Sequence, residues 1–424
     1  MPTHPVTPPP DTPEMPLPAH SGGVGQRLGA ALQSRNFRLL WGGAFLSTVG
    51  TWMQKVAQNW LVLSLTGSAW YLGLDAFLGE LPLLLFTLIG GVVADRYDRR
   101  RLLIGSQVLQ MISAASLFGL VVSGTVQVWH VLLLSFVTGC AQAFGGPANQ
   151  SLLPSLVPRR DLPNAIALNS IQFNLSRLIG PVLAGVVLAA YGTAACFGVN
   201  ALSYLAVVAA LVAISVPHVR PAGRHSLGHE LRGGLRHVRH DSTLRSLIVV
   251  AFLSTFLGLP MQTFLPVVAQ QVFGQGVGLY STMMAWSGGG AVLGALIVAW
   301  MGRYPGMGRA VLVLQAVFAL LIIAVAWSRS LPLTYLLLVC AGVAGIMTTS
   351  LLTSLVQFVA PDALRGRVMS IYMMAFRGGM PLGSLVSGAL ISTLGITTVL
   401  TINGALLCGA ALWFLMRPGG VHDA

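Results

Sequence analysis

Long apolar runs separated by short polar turns fill the chain from about residue 37 onward. A helix needs about 20 residues to cross the hydrocarbon of a bilayer. By that ruler the runs near 37–63, 70–94, 102–123, 129–152, 164–190, 193–216, 244–269, 276–300, 308–328, 331–356, 367–393 and 396–416 each predict a spanning helix. The predicted fold is therefore all-α, with twelve transmembrane helices. One hydrophilic stretch, His218 to Asp241, divides the helices six and six. Leu227, Leu231, Leu235 and Val238 recur within it at helical spacing, which suits an amphipathic helix on the membrane surface. A plain solvated linker accounts for the same residues. The domain boundaries that follow are a Pro-rich disordered tail over 1–33, a bundle over 34–216, a linker over 217–243, a second bundle over 244–416 and a tail over 417–424.

The charges fix an orientation. Twenty Arg residues fall in the terminal segments and in every second turn, counting the run ends that flank them, whereas the alternate turns hold only Arg329. Turns dense in Arg stay on the cytoplasmic side because positive charge resists translocation. Both termini are then predicted to be cytoplasmic and the protein to sit in the plasma (inner) membrane. Composition agrees: 55% of residues are hydrophobic and 8% charged, against about 25% charged in a soluble domain. The net charge of +13 lies in short turns, with no exposed domain to carry a basic groove, so nucleic acid is excluded as a partner. Cys140, Cys196, Cys340 and Cys408 lie in or beside apolar runs without CxxC spacing, which predicts packing residues and no metal. The start of the chain has no basic segment followed by an apolar core, so no signal peptide is predicted. No motif for a catalytic set, a cofactor or a nucleotide appears, so no enzyme activity is expected.

The two halves repeat each other. FLST at Phe45 recurs at Phe252, Met53-Gln54 recurs as Met261-Gln262, and SLLPSLV from Ser151 recurs as SLLTSLV from Ser350. Arg177 and Pro181 recur as Arg377 and Pro381, all at an offset of about 200 residues. Two parallel repeats about an axis along the membrane normal make a pair that can rock around a central cavity.

The turn after the second run reads GGVVADRYDRRR. Its Gly91, Asp95, Arg96, Arg99 and Arg100 resemble the G-x-x-x-D-R-x-G-R-R signature of the major facilitator superfamily, with Asp98 at the place of the second Gly. The DRYDRR form, SRNFRLLWGG from Ser34, LTGSAWYLGL from Leu65, PDALRGRVMS from Pro361 and MPLGSLVSG from Met380 are similar to the enterobactin-exporter and macrolide-efflux branch, the transmembrane secretion effectors. Gly180, Pro181 and Gly185 resemble the antiporter signature, with Ser176 and Ala184 in place of two of its Gly residues. The Arg common near the outer end of helix four is missing, and only His130 lies near. The resemblance implies a monomeric secondary transporter. It further implies an inner gate in which Asp95 meets Arg365 or Arg367, and a cavity lined by helices one, four, seven and ten. On those helices stand Gln54, Gln58, Asn59, Gln142, Asn149, Gln262 and Thr349, which suit a small, largely uncharged or amphipathic substrate.

Charged groups inside the predicted spans are the candidates for coupling. Each costs about 2.5–3.5 kcal/mol at a helix centre and so needs a reason. Lys55 in helix one falls in depth between Asp75 and Glu80 of helix two and can pair with either. Their repeat equivalents are Thr263, Tyr280 and Ala285, so the architecture does not require them. Arg177 and Arg377 are repeat equivalents of each other, which favours a shared structural role. The expected activity is proton-coupled efflux of a drug, siderophore or secondary metabolite across the lipid bilayer. Uptake or export of a sugar-like nutrient is the alternative, and a non-transporting sensor a more distant one.

Overall fold

The computed structural model describes residues 29–214, 235–302, 306–362, 364–417 and 421, apart from the side chains of Leu88 and Asp95. Among the described residues the regular structure is entirely helical. In chain order come α1 (Arg35–Thr66), α2 (Ala69–Arg96), α3 (Arg99–Val122) and α4 (Val128–Leu152). The run Leu162–Ala213 breaks at Gly192, where φ is 76°, into α5 before it and α6 after it. After the linker, α7 starts as Ser242–Leu253 and goes on through π-turns at Ser254–Gly258 and Val268–Val272. Pro260 and Pro266 lie within this irregular stretch; neither has an N–H to give the ladder, which loosens the helix there. Then follow α8 (Val277–Met301), α9 (Met307–Trp327), α10 (Leu331–Val359), α11 (Arg365–Leu394) and α12 (Ile396–Met416).

Nine stretches among the described residues are long and apolar enough to cross a membrane. The helices α1 and α11 are outside that set; they carry Arg35, Arg38, Lys55, Arg365, Arg367 and Arg377. Residues 30–33, placed by sequence in the tail, form a 3-10 turn against the first bundle. Ala31 is buried there, its N–H bonds to Asn164 Oδ1 at 3.0 Å, and Ser34 Oγ donates to the Leu156 carbonyl at 2.6 Å. Most of the linker lies outside the described residues. Its last turn is helical, with Val238 buried in the second bundle and Leu235 exposed.

The repeat is visible in the turns. Gly67 and Gly274, which follow α1 and α7, have φ of 62° and 63°. Gly192 and Gly395, which join α5 to α6 and α11 to α12, have φ of 76° and 82°. Only Gly enters that left-handed region freely, and each pair recurs at the repeat offset.

Packing is not uniform along the helices. The buried residues Phe37, Leu103, Leu152, Ala165 and Leu211 form a cluster made by the first half alone, at the ends of its helices nearest the amino terminus. Leu244, Leu312, Leu352, Val368 and Tyr372 form the matching cluster of the second half. At the opposite ends one continuous cluster takes residues from both halves, Met53, Leu72 and Phe197 with Phe264, Tyr280 and Ile391. The two bundles are therefore joined at the end remote from the termini and have separate cores at the other. Gly73 of α2 meets the backbone of Ser384 and Gly388 on α11, and Gly185 of α5 meets Ser281 on α8. Small residues allow this close approach, which is how helices associate where lipid gives no hydrophobic drive.

Candidate functional site

Gln54 and Gln58 stand one helical turn apart on α1 and so share a face. Opposite them are Asp75 of α2, Ser135 of α4 and Asn200 of α6. Gln58 Nε2 donates to Asp75 Oδ2 and to Ser135 Oγ, both at 2.8 Å. Ser135 Oγ donates to the other carboxyl oxygen of Asp75 at 2.5 Å. Asn200 Nδ2 donates to Gln54 Oε1 at 2.6 Å. Asp75 is only 5% exposed. Among the described residues no ion pair joins Lys55 to this carboxyl. Neutral donors hold this carboxyl. A hydroxyl both donates and accepts, so Ser135 can turn to serve the protonated and the ionised form alike.

The expected pairing of Lys55 takes a different form. Its ammonium lies 5.5 Å from the centre of the Trp52 ring, and the Arg177 guanidinium lies 5.6 Å from the same ring. An aromatic face attracts cations without bringing an anion into the site. Arg177 Nη2 also donates to Gln262 Oε1 at 2.9 Å, which ties α5 to α7 across the two bundles. Asn59 Nδ2 donates to Tyr280 Oη at 3.1 Å, a second bond between bundles that is buried. Glu80 is half-buried, and among the described residues it has no partner in an ion pair. Arg377 is exposed, unlike its repeat equivalent.

The remaining candidates are spread more widely. Gln142 is half-buried on α4. Thr349 bonds back to the Gly345 and Ile346 carbonyls of its own helix. Asn149 is half-buried beside Leu153 at the end of α4, in a cleft with Trp41 and Gln172. In the antiporter-like stretch, Gly180 packs on Val49 and Trp52 of α1, Pro181 is buried within α5, and Gly185 faces Ser281 of α8.

In the turn that the resemblance makes an inner gate, the Asp95 side chain lies outside the described residues. Gly91 is on the last turns of α2 and Arg96 is exposed. Asp98 caps α3, accepting from the Arg100 and Arg101 N–H groups at 2.9 and 3.2 Å. Arg100 donates to the Leu211 and Val212 carbonyls at the end of α6, and Arg99 to the Ser151 carbonyl at the end of α4. Cations at carbonyl-rich helix ends are favoured by the helix dipole. Arg365 pairs with Asp362 and donates to the Gln357 carbonyl, within its own half, and Arg367 is half-buried. Sequence reasoning missed Ser135 and Asn200, because neither stands in a motif and only the rotation of α4 and α6 brings them to α1.

The profile of the transmembrane secretion effectors matches residues 28–419. The chain belongs to that family. It is a major facilitator transporter and not an enzyme. It is 32% identical over 393 residues to the multidrug efflux pump Tap of Mycolicibacterium fortuitum, covering 88% of this chain and 94% of that one. It is 26% identical over 379 residues to the staphyloferrin A transporter of Staphylococcus aureus, with the same coverage. It is 23% identical over 388 residues to macrolide efflux protein A of Streptococcus pyogenes, covering 89% and 94%. Among solved structures, a D-xylose–proton symporter superposes with a TM-score of 0.70 at 14% identity, over 89% of this transporter and 96% of that one. The nucleoside transporter NupG superposes with a TM-score of 0.69 at 15% identity, over 90% and 98%. These likenesses are of fold.

Proposed function

We propose that this transporter exports a small amphipathic compound in exchange for protons, by alternating access between its two bundles. On this reading the chain crosses the plasma membrane twelve times as a monomer, with both termini in the cytoplasm, and opens its inner end in the state described above. The observation that carries the proposal is the Asp75 carboxyl, buried at the meeting of α1, α2 and α4 with neutral hydrogen-bond partners. A carboxyl without a salt bridge can take a proton and give it up as the surroundings change from one facing state to the other. The efflux pumps and the siderophore transporter among its relatives support export of an amphipathic compound. Asp95 with Arg365 or Arg367 supplies the inner gate when that end closes.

The test uses purified protein in proteoliposomes with an imposed pH gradient and a panel of candidate compounds. Asp75→Asn is expected to abolish gradient-driven transport and to spare exchange of substrate for substrate. Glu80→Gln is the second variant of the set. Full uphill transport by both variants rules out these carboxyls as proton carriers, and transport with the opposite dependence on the gradient reverses the direction.

A further inference from the structure

A cleft of about 140 Å³, open to solvent, lies where α1, the end of α4 and α5 meet in the first bundle. Trp41 and Thr48 of α1, Asn149 of α4, and Asn169, Gln172 and Phe173 of α5 line it. No lining residue is charged. Gln172 is buried and donates to Thr48 Oγ1 at 3.0 Å. The Asn149 and Asn169 amides are half-buried, and among the described residues neither has a hydrogen-bond partner. A half-buried amide with no protein partner is free to hydrogen-bond a ligand in place of water. Phe173 is 52% exposed and Trp41 half-buried, giving the cleft an aromatic wall.

The repeat shows that the fold does not require this space. By the sequence alignment of the halves, Trp41, Thr48, Asn149, Asn169 and Gln172 correspond to Ile248, Thr255, Thr348, Met369 and Tyr372. In the second bundle four of those five positions are packed, and Met369 is half-buried against the core. Thr255, Thr348 and Tyr372 are at most 1% exposed, and Ile248 joins them in the core. Tyr372 fills its position with a ring whose hydroxyl bonds to Thr353 at 2.8 Å. The first bundle has the amides of Asn149, Asn169 and Gln172 where the second has Thr348, Met369 and Tyr372, and it is the more open of the two there.

We infer that this cleft is a binding subsite for the neutral, ring-bearing part of the substrate, with Asn149 and Asn169 donating to its carbonyl or hydroxyl oxygens. The inference rests on the export reading and narrows it. The part of the substrate that enters here carries no carboxylate, because no cation lines the cleft to offset a buried charge.

The test is photolabelling of the purified full chain with benzophenone, a neutral aromatic ketone, followed by peptide mapping. Labelling is expected on α1 and α5 around Trp41 and Phe173. The carboxylate analogue 4-benzoylbenzoate should label there about tenfold less. The pair Asn149→Thr and Asn169→Met, which installs the second-half residues, should lose the label. So should Ala44→Leu, which fills the cleft without touching an amide; all variants are checked for an unchanged elution profile. Equal labelling of the corresponding second-half helices, equal labelling by the carboxylate, or labels undiminished in both folded variants overturns the inference. Labelling needs no gradient and no turnover, so failure of the export reading in proteoliposomes is seen separately from failure here.

Discussion

At the scale of single residues, Asp75 depends on who shares its hydrogen bonds. Gln58 donates its N–H to the carboxyl and would have to flip its amide to accept, whereas the Ser135 hydroxyl can donate or accept in place. Ser135→Ala removes the partner that adapts to both proton states and leaves Gln58 in place. A hydrogen bond to a charged group contributes about 1.5–3 kcal/mol, so gradient-driven transport should fall by about tenfold or more. Ser135→Thr, which keeps the hydroxyl, should retain most of it; full activity in the Ala variant would remove Ser135 from the coupling. The sequence places Asp75 among the candidates because a carboxylate in an apolar run is costly wherever it faces. It does not reveal Ser135, since a serine in a membrane helix costs little and carries no signal. Depth along the helix places Lys55 between two carboxylates, but depth does not fix rotation about the axis. Lys55 turns to Trp52 on its own helix instead.

At the scale of the element, the turn after α2 does more than mark a side of the membrane. Asp98, which stands where the family signature has Gly, takes two of the free N–H groups at the start of α3. Loss of such a cap costs about 1 kcal/mol. Asp98→Ala should therefore lower the thermal unfolding midpoint of the purified protein by an amount matching that cost. Transport at matched expression should be close to normal. A large loss of transport without a stability change would assign Asp98 to the gate instead. Helix ends of this kind are legible in sequence once a short polar residue precedes the run, as are the turns at Gly67, Gly192, Gly274 and Gly395, where only Gly tolerates the backbone. The irregular course of α7 is less so. Pro260 and Pro266 announce a break, but the π-turns on either side depend on what the neighbouring helices offer to the freed carbonyls.

At the scale of the whole molecule, the repeat predicted two comparable bundles, and the packing adds where they touch. Apolar periodicity cannot tell a residue buried within its own bundle from one buried against the other, because both are simply apolar. The shared core at one end and the divided cores at the other appear only when the helices are assembled. If the bundles rock, the contacts of the shared end must part in each cycle, including the bonds of Arg177 to Gln262 and of Asn59 to Tyr280. A cross-link at that end tests this directly. A Cβ placed on Gly185 would lie 3.1 Å from Cβ of Ser281, a little inside the usual disulfide separation of about 3.5–4.5 Å. In a background with the four native cysteines replaced, Gly185→Cys with Ser281→Cys should form a disulfide readily under mild oxidation. That bond would pin α5 to α8 and is expected to stop gradient-driven transport, with recovery on reduction. Substrate binding from the open end should survive, since the cleft at Asn149 and Asn169 lies in the half of the molecule that the link leaves free. Full transport by the fully cross-linked protein would mean that this end stays closed throughout the cycle, and rocking of the two bundles would have to be given up.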